Sequence, residues 1–173
     1  PGRLTYWKGQ QPLIEAVNLT NIELGYEAFD VVILGSEQGR SIYKKKLIRL
    51  VEQYRMTKQI KFIDHCKDMA LAYKVSDLVI SASVEPEAFG RVSVEAQSME
   101  KLIIASNIGG SNETIIDGKT GFLFISGDAK SLSDKIIKGI NIEQSSLDLI
   151  CKEARKNVIK KFNVEKMCFS TYS

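Results

Sequence analysis

Short runs of β-branched and other aliphatic residues recur along the chain, each followed by a stretch long enough for a helix. Most of these runs are apolar at consecutive positions, which is typical of a parallel strand whose two faces are both covered. We predict strands at Val31 to Leu34, Ile60 to Ile63, Leu78 to Ser81, Leu102 to Ala105 and Gly121 to Ile125. The alternation of strand and helix favours an α/β fold, a Rossmann-like doubly wound parallel sheet with right-handed crossovers.

Apolar residues at helical spacing fill the stretches between and after these strands. The pattern predicts helices at Gln11 to Leu24, Ser41 to Tyr54, Asp68 to Ser76, Gly90 to Met99, Asn112 to Ile116, Ala129 to Gly139 and Ser145 to Phe162. With 173 residues, 44% of them hydrophobic, the chain has the size and apolar content of one domain with its own core. We expect residues 1–173 to form a single domain.

Composition argues against several classes of protein. The net charge is only +3 and the aromatic residues are not interleaved with the basic ones, so we expect no nucleic acid partner. The three cysteines, at positions 66, 151 and 168, show neither an even count nor a Cys-x-x-Cys spacing, which favours a reducing compartment over a disulfide framework. No apolar run approaches the roughly 18 residues of a membrane span, and no signal peptide is recognisable. We therefore expect a cytoplasmic protein.

In open sheets of this type, ligands bind outside the carboxyl ends of the strands. The stretch EPEAFGRVSVE, from Glu85 to Glu95, follows one such end and leads through Gly90 into a helix. The unpaired N–H groups and the dipole at a helix start favour an anion, and a glycine there lets a ligand approach the backbone. This stretch is our first candidate for a binding site.

Two carboxylates flank this helix start. Glu95 shares a helical stripe with Val92 and Met99, so we expect it along the cleft wall, where paired hydroxyls such as those of a ribose would satisfy it. Glu87 lies about two residues before the helix, within reach of a sugar held beside a diphosphate. The alternative is that Glu87 is a loop acid favoured by the helix dipole and Glu95 a solvated helix residue.

Two cations stand on the loop GRLTYWKGQ near the amino terminus. Arg3 and Lys8 suit a diphosphate, because arginine chelates oxygens through its planar fork and lysine adds a point charge. The alternative is a pair of surface cations beside a helix start. The run Lys44 to Lys46 opens an amphipathic helix, either as a solvated face or as a contact with anionic lipid.

Other features give weaker signals. GKT at Gly118 to Thr120 is not a P-loop, because the earlier glycine and the leading strand are missing. Gly109 and Gly110 form a tight turn that is either structural or close to a phosphate or sugar. His65 follows a strand and either edges a base or is an exposed loop residue. There is no Asp-x-Asp and no His/Cys cluster, so we expect no metal and no cofactor.

Read in order, GRLTYWKGQ, FIDHCKDMALAYKVSDLVISAS, EPEAFGRVSVEAQSM and SNIGGSNETIIDGKTGFLF resemble the carboxyl-terminal, donor-binding domain of retaining GT-B glycosyltransferases. The nearest likeness is to the bacterial family 4 group that builds lipopolysaccharide and capsule sugars. The resemblance covers nearly the whole chain and implies half of a GT-B fold, with a nucleoside diphosphate sugar as substrate. The chain has no initiator methionine and begins at what resembles the end of a strand, so we expect a piece of a longer protein. We expect the amino-terminal acceptor domain to be absent.

The resemblance also implies roles for individual residues. Glu95 would hold the ribose hydroxyls, and Glu87 the donor sugar near the reacting carbon, with no covalent role assigned. Arg3 and Lys8 would neutralise the diphosphate. Backbone N–H groups of Phe89, Gly90 and Arg91 would contact the sugar and phosphate, and Asp64 and His65 would lie on the base-side loop.

Two positions depart from the sequences that the chain resembles. Asp64 and Glu100 each stand where those sequences commonly have glycine. The resemblance implies metal-independent transfer of a sugar, with retention, to a saccharide or lipid-linked acceptor held by the missing domain. The fragment alone would then transfer little, and its longer parent would work in the cytoplasm or at the inner face of the membrane. Alternatives are a non-catalytic nucleotide-binding or regulatory module, a sugar-nucleotide epimerase and a glycoside phosphorylase.

Overall fold

Helices and strands alternate along the chain in the computed structural model, which describes residues 1–39, 41–64 and 66–162. The strands are β1 (Val31–Leu34), β2 (Ile60–Ile63), β3 (Leu78–Ser81), β4 (Leu102–Ser106) and β5 (Phe122–Phe124). The α-helices are α1 (Gln10–Leu24), α2 (Ser41–Gln53), α3 (Met69–Val75), α4 (Arg91–Ser98), α5 (Ser111–Thr114), α6 (Ala129–Ile140) and α7 (Gln144–Lys161), and a 3₁₀ helix spans Tyr6–Lys8. Every predicted element is present within a residue or two of its predicted bounds. The 3₁₀ helix was not predicted.

Every strand pair in this part of the chain is parallel. β1 pairs with β2 from Val31 opposite Ile60, β3 with β4 from Leu78 opposite Leu102, and β4 with β5 from Ile104 onward. Parallel neighbours joined by helices are the defining arrangement of an α/β fold, so the predicted fold class is confirmed. The hydrogen-bonded ladders form a two-stranded group and a three-stranded group.

The amino-terminal segment lies between these two groups of strands. The N–H of Gly2 donates to the carbonyl of Leu34 over 2.8 Å, on the β1 side. The N–H of Val84, just beyond β3, donates to the carbonyl of Trp7 over 2.8 Å on the other side. The residues that resembled a strand end in the sequence therefore connect the two groups of strands without themselves forming a regular strand.

The central strand β4 explains why apolar residues stand at consecutive positions. Leu102 and Ile104 face a cluster with Phe122, Leu132 and Ile136. Ile103 and Ala105, on the opposite face, belong to a second cluster with Tyr73, Val79, Ala96 and Ile115. Burial of each isoleucine side chain stabilises the fold by about 1.5–3 kcal/mol, and only a strand covered on both faces gains this at every position.

A third apolar cluster surrounds β1, β2 and α2, and it includes Leu47, Val51 and Ile60. Leu13 and Phe29 contact both this cluster and the one on the first face of β4. Because the clusters share these two side chains, their cores are continuous. The described residues therefore form a single domain.

Two expectations from composition concern the cysteines and a membrane span. Cys66 and Cys151 are free thiols, and Cys168 lies outside the described residues. Among the helices that the structure describes, none has the length and apolar character needed to cross a bilayer.

Candidate functional site

The amino-terminal loop and the loop after β3 approach each other at the carboxyl ends of the strands. Gly9 sits where they meet, with a φ of +68°, and a Cβ there would lie 1.7 Å from the carbonyl oxygen of Ala82. Only glycine allows both this conformation and this approach. The close contact places Lys8 beside the stretch that leads to α4.

Lys8 and Glu87 form an ion pair at this meeting point. The Lys8 Nζ lies 2.7 Å from Oε1 of Glu87, and the two side chains are only 15% and 19% exposed. The hydroxyl of Ser83 donates to the same carboxylate oxygen. Burial alone would raise the pKa of Glu87, but the hydrogen bonds from Lys8 and Ser83, together with the positive charge of Lys8, outweigh it and lower the pKa below its ordinary value. Glu87 is therefore an ionised, well-held carboxylate at neutral pH.

Arg3 and Lys8 share the ring of Trp7. The Arg3 guanidinium carbon lies 5.2 Å from the ring centroid and the Lys8 Nζ lies 4.7 Å from it. Both distances are typical of cation–π contacts. The two cations predicted from the sequence are thus brought together, with Arg3 exposed and Lys8 directed to Glu87.

The start of α4 lies on the same loop as Glu87. Gly90 caps the helix in the left-handed conformation, with a φ of 68°, and its carbonyl accepts the first turn's bond from the Ser93 N–H over 2.9 Å. The N–H groups before Ser93 have no acceptor within the helix. Phe89 is 36% exposed, and its ring meets that of Phe162 edge-on at 5.4 Å.

The glycine turn at positions 109 and 110 packs against the backbone of this loop. The Gly110 N–H donates to the Glu87 carbonyl over 2.7 Å. A Cβ on Gly109 would lie 2.6 Å from the Glu87 carbonyl oxygen, and one on Gly110 would lie 2.6 Å from the carbonyl carbon of Phe89. The sequence left a structural and a ligand-facing interpretation open, and the structure shows a backbone contact that needs both glycines.

Glu95 is held by two neighbours. The Tyr73 hydroxyl donates to Oε2 over 2.8 Å, and the Arg91 guanidinium donates to Oε1 over 3.1 and 3.3 Å. Burial raises the pKa of Tyr73, and its bond to Glu95 raises it further, so the phenol stays protonated and donates to the carboxylate. The Glu95 side chain is 36% exposed. It is therefore half-exposed and already has hydrogen-bond donors among the protein side chains.

The structure brings Lys8 and Glu87 together, with Arg3 beside them across Trp7. Glu95 lies on α4, the helix that begins on the same loop as Glu87.

Of the two residues predicted on the base-side loop, the structure describes Asp64. Asp64 is 67% exposed and pairs with Lys44 of α2, Nζ to Oδ1, over 2.6 Å. The other residue predicted there, His65, lies outside the described residues. Within the described ranges, no three side chains of His, Cys, Asp or Glu gather in a way that could hold a metal ion.

The family model described as Glycosyl transferases group 1 matches residues 1–160. This chain belongs to that family. It is a group 1 glycosyltransferase domain, as its motifs predicted.

Relatives of this glycosyltransferase domain are all longer. It is 31% identical over 162 residues to the capsular polysaccharide biosynthesis glycosyltransferase CapM of Staphylococcus aureus, with 94% of this chain and 41% of CapM covered. A glycosyltransferase structure from Rickettsia africae matches with 34% identity and a TM-score of 0.92, over 99% of this chain and 45% of that one. Anabaena Alr3699/HepE, in complex with UDP and glucose, matches with 27% identity and a TM-score of 0.89, over 99% and 45%. The glycosyltransferase domain thus spans less than half the length of these proteins.

Sequence reasoning missed the side chains that hold the two acids. Ser83 bonds to Glu87 and Tyr73 bonds to Glu95, yet neither lies at a helix start or near a motif glycine. Ser83 is two residues past the end of β3, at the carboxyl edge where ligands bind, and this position could have singled it out. Tyr73 gave no such signal, because a tyrosine inside an apolar helix stripe is typical of core.

Proposed function

We propose that this chain is the donor-binding half of a family 4 retaining GT-B glycosyltransferase. It would bind a nucleoside diphosphate sugar, whose sugar passes to an acceptor hydroxyl in the synthesis of cell-envelope polysaccharide or lipopolysaccharide. The observation that carries the proposal is the Lys8–Glu87 ion pair, which lies beside Arg3 and the start of α4 at the carboxyl ends of the strands.

Arg3 and Lys8 take the diphosphate in this proposal. Their two charges meet at Trp7, and together they neutralise the charge that develops on the leaving nucleotide as the glycosidic bond breaks. Arg3 is exposed and can form two parallel bonds to phosphate oxygens. Lys8 exchanges part of its contact with Glu87 for a phosphate oxygen.

Glu87 takes the hydroxyls of the donor sugar. Its carboxylate can accept about four hydrogen bonds, and Lys8 and Ser83 occupy one oxygen, which leaves the other to the sugar. The backbone N–H groups of Phe89, Gly90 and Arg91 lie on the same loop and contact the sugar and phosphate. We assign Glu87 to orientation of the sugar and not to a covalent intermediate.

Glu95 takes the ribose hydroxyls. Arg91 and Tyr73 together supply three hydrogen bonds to its two oxygens, so acceptor capacity remains on the carboxylate. The Arg91 side chain is 82% exposed and can move away when a ribose arrives, whereas Tyr73 is almost fully buried. The buried hydrogen bond from Tyr73 keeps Glu95 in place, while the exposed bonds from Arg91 can be replaced by the ribose.

The acceptor would bind to a second domain of the parent protein. The carboxyl edge of the strands is one wall of the cleft, and transfer with retention needs both walls, so the chain by itself would transfer little. The name of CapM supports a role in envelope polysaccharide synthesis, with a saccharide or lipid-linked acceptor. The parent protein would act in the cytoplasm, at the inner face of the membrane.

Calorimetric titration of the chain with UDP, GDP and ADP tests the proposal, and UDP is the first choice because the Anabaena relative is described with it. We expect at least one nucleoside diphosphate to bind, equally well with magnesium and with EDTA. Lys8→Met should weaken this binding at least tenfold, since it removes about 1.5–3 kcal/mol of charge-assisted hydrogen bonding. The matched control Lys58→Met removes an exposed lysine from the turn before β2.

Absence of binding at millimolar nucleotide by folded protein would refute the donor site. Equal effects of Lys8→Met and Lys58→Met would show that only net charge matters. Retention is tested on the full-length parent by NMR of the anomeric configuration of the product, and an inverted configuration would overturn that part of the proposal.

A further inference from the structure

Helix α2 presents two very different faces. Leu47 and Val51, on its inner face, are 0% and 3% exposed and belong to the third apolar cluster. The opposite stripe, at the i, i+3, i+4 and i+7 spacing of one helix face, consists of Ile42, Lys45, Lys46 and Arg49, which we call the α2 outer face. Ile42 is 85% exposed at the amino-terminal end of this stripe. An isoleucine so placed gains nothing from the fold.

The positive charges of the α2 outer face have no acidic partner in the part of the chain that the structure describes. Lys44, on the flank of the helix, pairs with Asp64 over 2.6 Å. Among the described residues, by contrast, no ion pair involves Lys45, Lys46 or Arg49. Three cations therefore surround one exposed aliphatic side chain.

These residues line an open groove of about 470 Å³ between α2 and the start of α1. Its walls are Ile42, Leu50 and the stems of the three cationic side chains, with Gln11 and Gln53 at its margins. Lysine and arginine can lay their aliphatic stems along apolar groups while their charged ends reach an aqueous or phosphate layer. The groove thus offers an apolar floor with a cationic rim.

We propose that the α2 outer face docks on a bilayer that contains anionic lipids. A helix lying in the interface plane needs basic residues level with the headgroups and aliphatic residues turned toward the acyl chains, and this face supplies both. A nucleic acid would use the cations but not Ile42, and no aromatic side chain lies in the groove to stack on a base. The combination favours lipid.

The docking would hold the carboxyl ends of β1 and β2 near the membrane surface. α2 begins after the carboxyl end of β1, which is the edge of the strands where Lys8 and Glu87 meet. The bilayer contact itself does not depend on the proposed function. The role that we give to this contact does rest on the proposed function, because docking would bring the donor site close to a lipid-linked acceptor.

Vesicle sedimentation of the chain tests the contact. We expect binding to vesicles of phosphatidylcholine with about 30 mol% phosphatidylglycerol, little binding to phosphatidylcholine alone, and a decrease as salt is raised. The triple variant Lys45→Glu, Lys46→Glu and Arg49→Glu should lose at least about tenfold in partitioning. Ile42→Ser, which leaves the charge unchanged, should lose several-fold, about the effect of one withdrawn aliphatic side chain.

The matched control reverses three exposed lysines elsewhere, Lys58→Glu, Lys119→Glu and Lys152→Glu, and so changes net charge by the same amount. It should retain most of the vesicle binding, and circular dichroism should show all variants folded. Equal losses in control and triple variant, or full binding by Ile42→Ser, would overturn the proposal. So would binding of a DNA oligomer, but not of vesicles, through the same residues. UDP titration of the triple variant should match wild type, which separates a failure here from a failure of the donor site.

Discussion

The hydroxyl of Tyr73 donates a 2.8 Å hydrogen bond to Oε2 of Glu95. Tyr73 is 3% exposed and stands on α3, whereas Glu95 stands on α4, so the bond joins two helices that are separate in the sequence. A buried phenol with a raised pKa has no alternative solvent partner. The bond therefore fixes one carboxylate oxygen from behind and leaves the exposed side of Glu95 to a ligand.

Removal of this hydroxyl should weaken nucleotide binding more than it weakens the fold. Tyr73→Phe keeps the ring and its packing but releases Oε2, and we expect UDP affinity to fall by about 0.5–1.5 kcal/mol, a loss of about twofold to tenfold. Calorimetry measures the affinity, and urea unfolding measures stability. Tyr54→Phe, at a half-buried tyrosine of the third apolar cluster, is the control. A Tyr73→Phe protein with wild-type UDP affinity and reduced stability would make the bond merely structural.

Glu95 itself should matter through its charge. Glu95→Ala is expected to weaken nucleoside diphosphate binding by about 1–3 kcal/mol, the range for a lost charge-assisted hydrogen bond. Glu95→Gln, which keeps the shape and one acceptor oxygen, should retain part of the affinity. The control Glu27→Ala removes an exposed acid far along the chain from the cluster. Unchanged affinity in Glu95→Ala would return this residue to the alternative of a solvated helix acid.

The Lys8–Glu87 pair predicts a defined dependence of stability on pH. The pKa of Glu87 is lower in the folded protein than its ordinary value of 4.5. The ionised carboxylate therefore stabilises the folded state relative to the unfolded state. The contribution of ionised Glu87 to the free energy of unfolding is fully present above pH 4.5. It is lost as the pH falls through the pKa that Glu87 has in the folded protein. Urea unfolding between about pH 3 and pH 7 should show wild type losing its advantage over Glu87→Gln only at the acid end.

The variant Lys8→Met tests whether Lys8 is what keeps the pKa of Glu87 low. Burial opposes ionisation of Glu87 and Lys8 supplies the main compensation. In Lys8→Met the burial should dominate, and the pKa of Glu87, followed by carboxyl ¹³C NMR, should rise above its wild-type value. An unchanged pKa would mean that Ser83 alone holds the ionised carboxylate.

The sequence predicted the elements well where burial forces the pattern. β4 is apolar at adjacent positions because Ile103 and Ile104 face different clusters, and no other environment makes that run favourable. The start of α4 was predicted at Gly90, and the structure shows why glycine stands there, because its φ of 68° is left-handed. The division of the strands into two ladders could not be predicted, since Gly2 and Trp7 act through backbone groups that are the same for every residue.

The site was predicted in part for a similar reason. Charged side chains on loops at the carboxyl ends of strands are candidates for ligand binding. The sequence therefore pointed to Arg3, Lys8 and Glu87. The pairing of Lys8 with Glu87, and the contacts from Ser83 and Tyr73, depend on distances that sequence spacing does not encode. The ion pair of Asp64 with Lys44 could not be predicted for the same reason.

Glu100 should be a point of backbone strain. Its φ of 55° is left-handed, at a position where the sequences that this chain resembles commonly have glycine. Its carboxylate lies 3.8 Å from Arg155, an exposed pair of little energetic weight. We expect Glu100→Gly to be more stable than Glu100→Ala by about 1 kcal/mol in urea unfolding, because both lose the pair but only glycine relieves the strain. Equal stability of the two variants would mean that the turn relaxes without cost.

Substitution of Gly109 should disturb the candidate site through the backbone of Glu87. Its φ of +53° disfavours any side chain, and an added Cβ would meet the Glu87 backbone at 2.6 and 2.8 Å, atoms that cannot swing away. Gly118 has a φ of +75° with nothing within 4 Å, so Gly118→Ala carries the conformational cost, about 1–2 kcal/mol, without the collision. Gly109→Ala should therefore lose more stability than Gly118→Ala in urea unfolding and should also lose UDP affinity, because Glu87 must shift. Gly118→Ala should bind UDP as wild type does, and equal behaviour of the two variants would show that the glycine turn does not position Glu87.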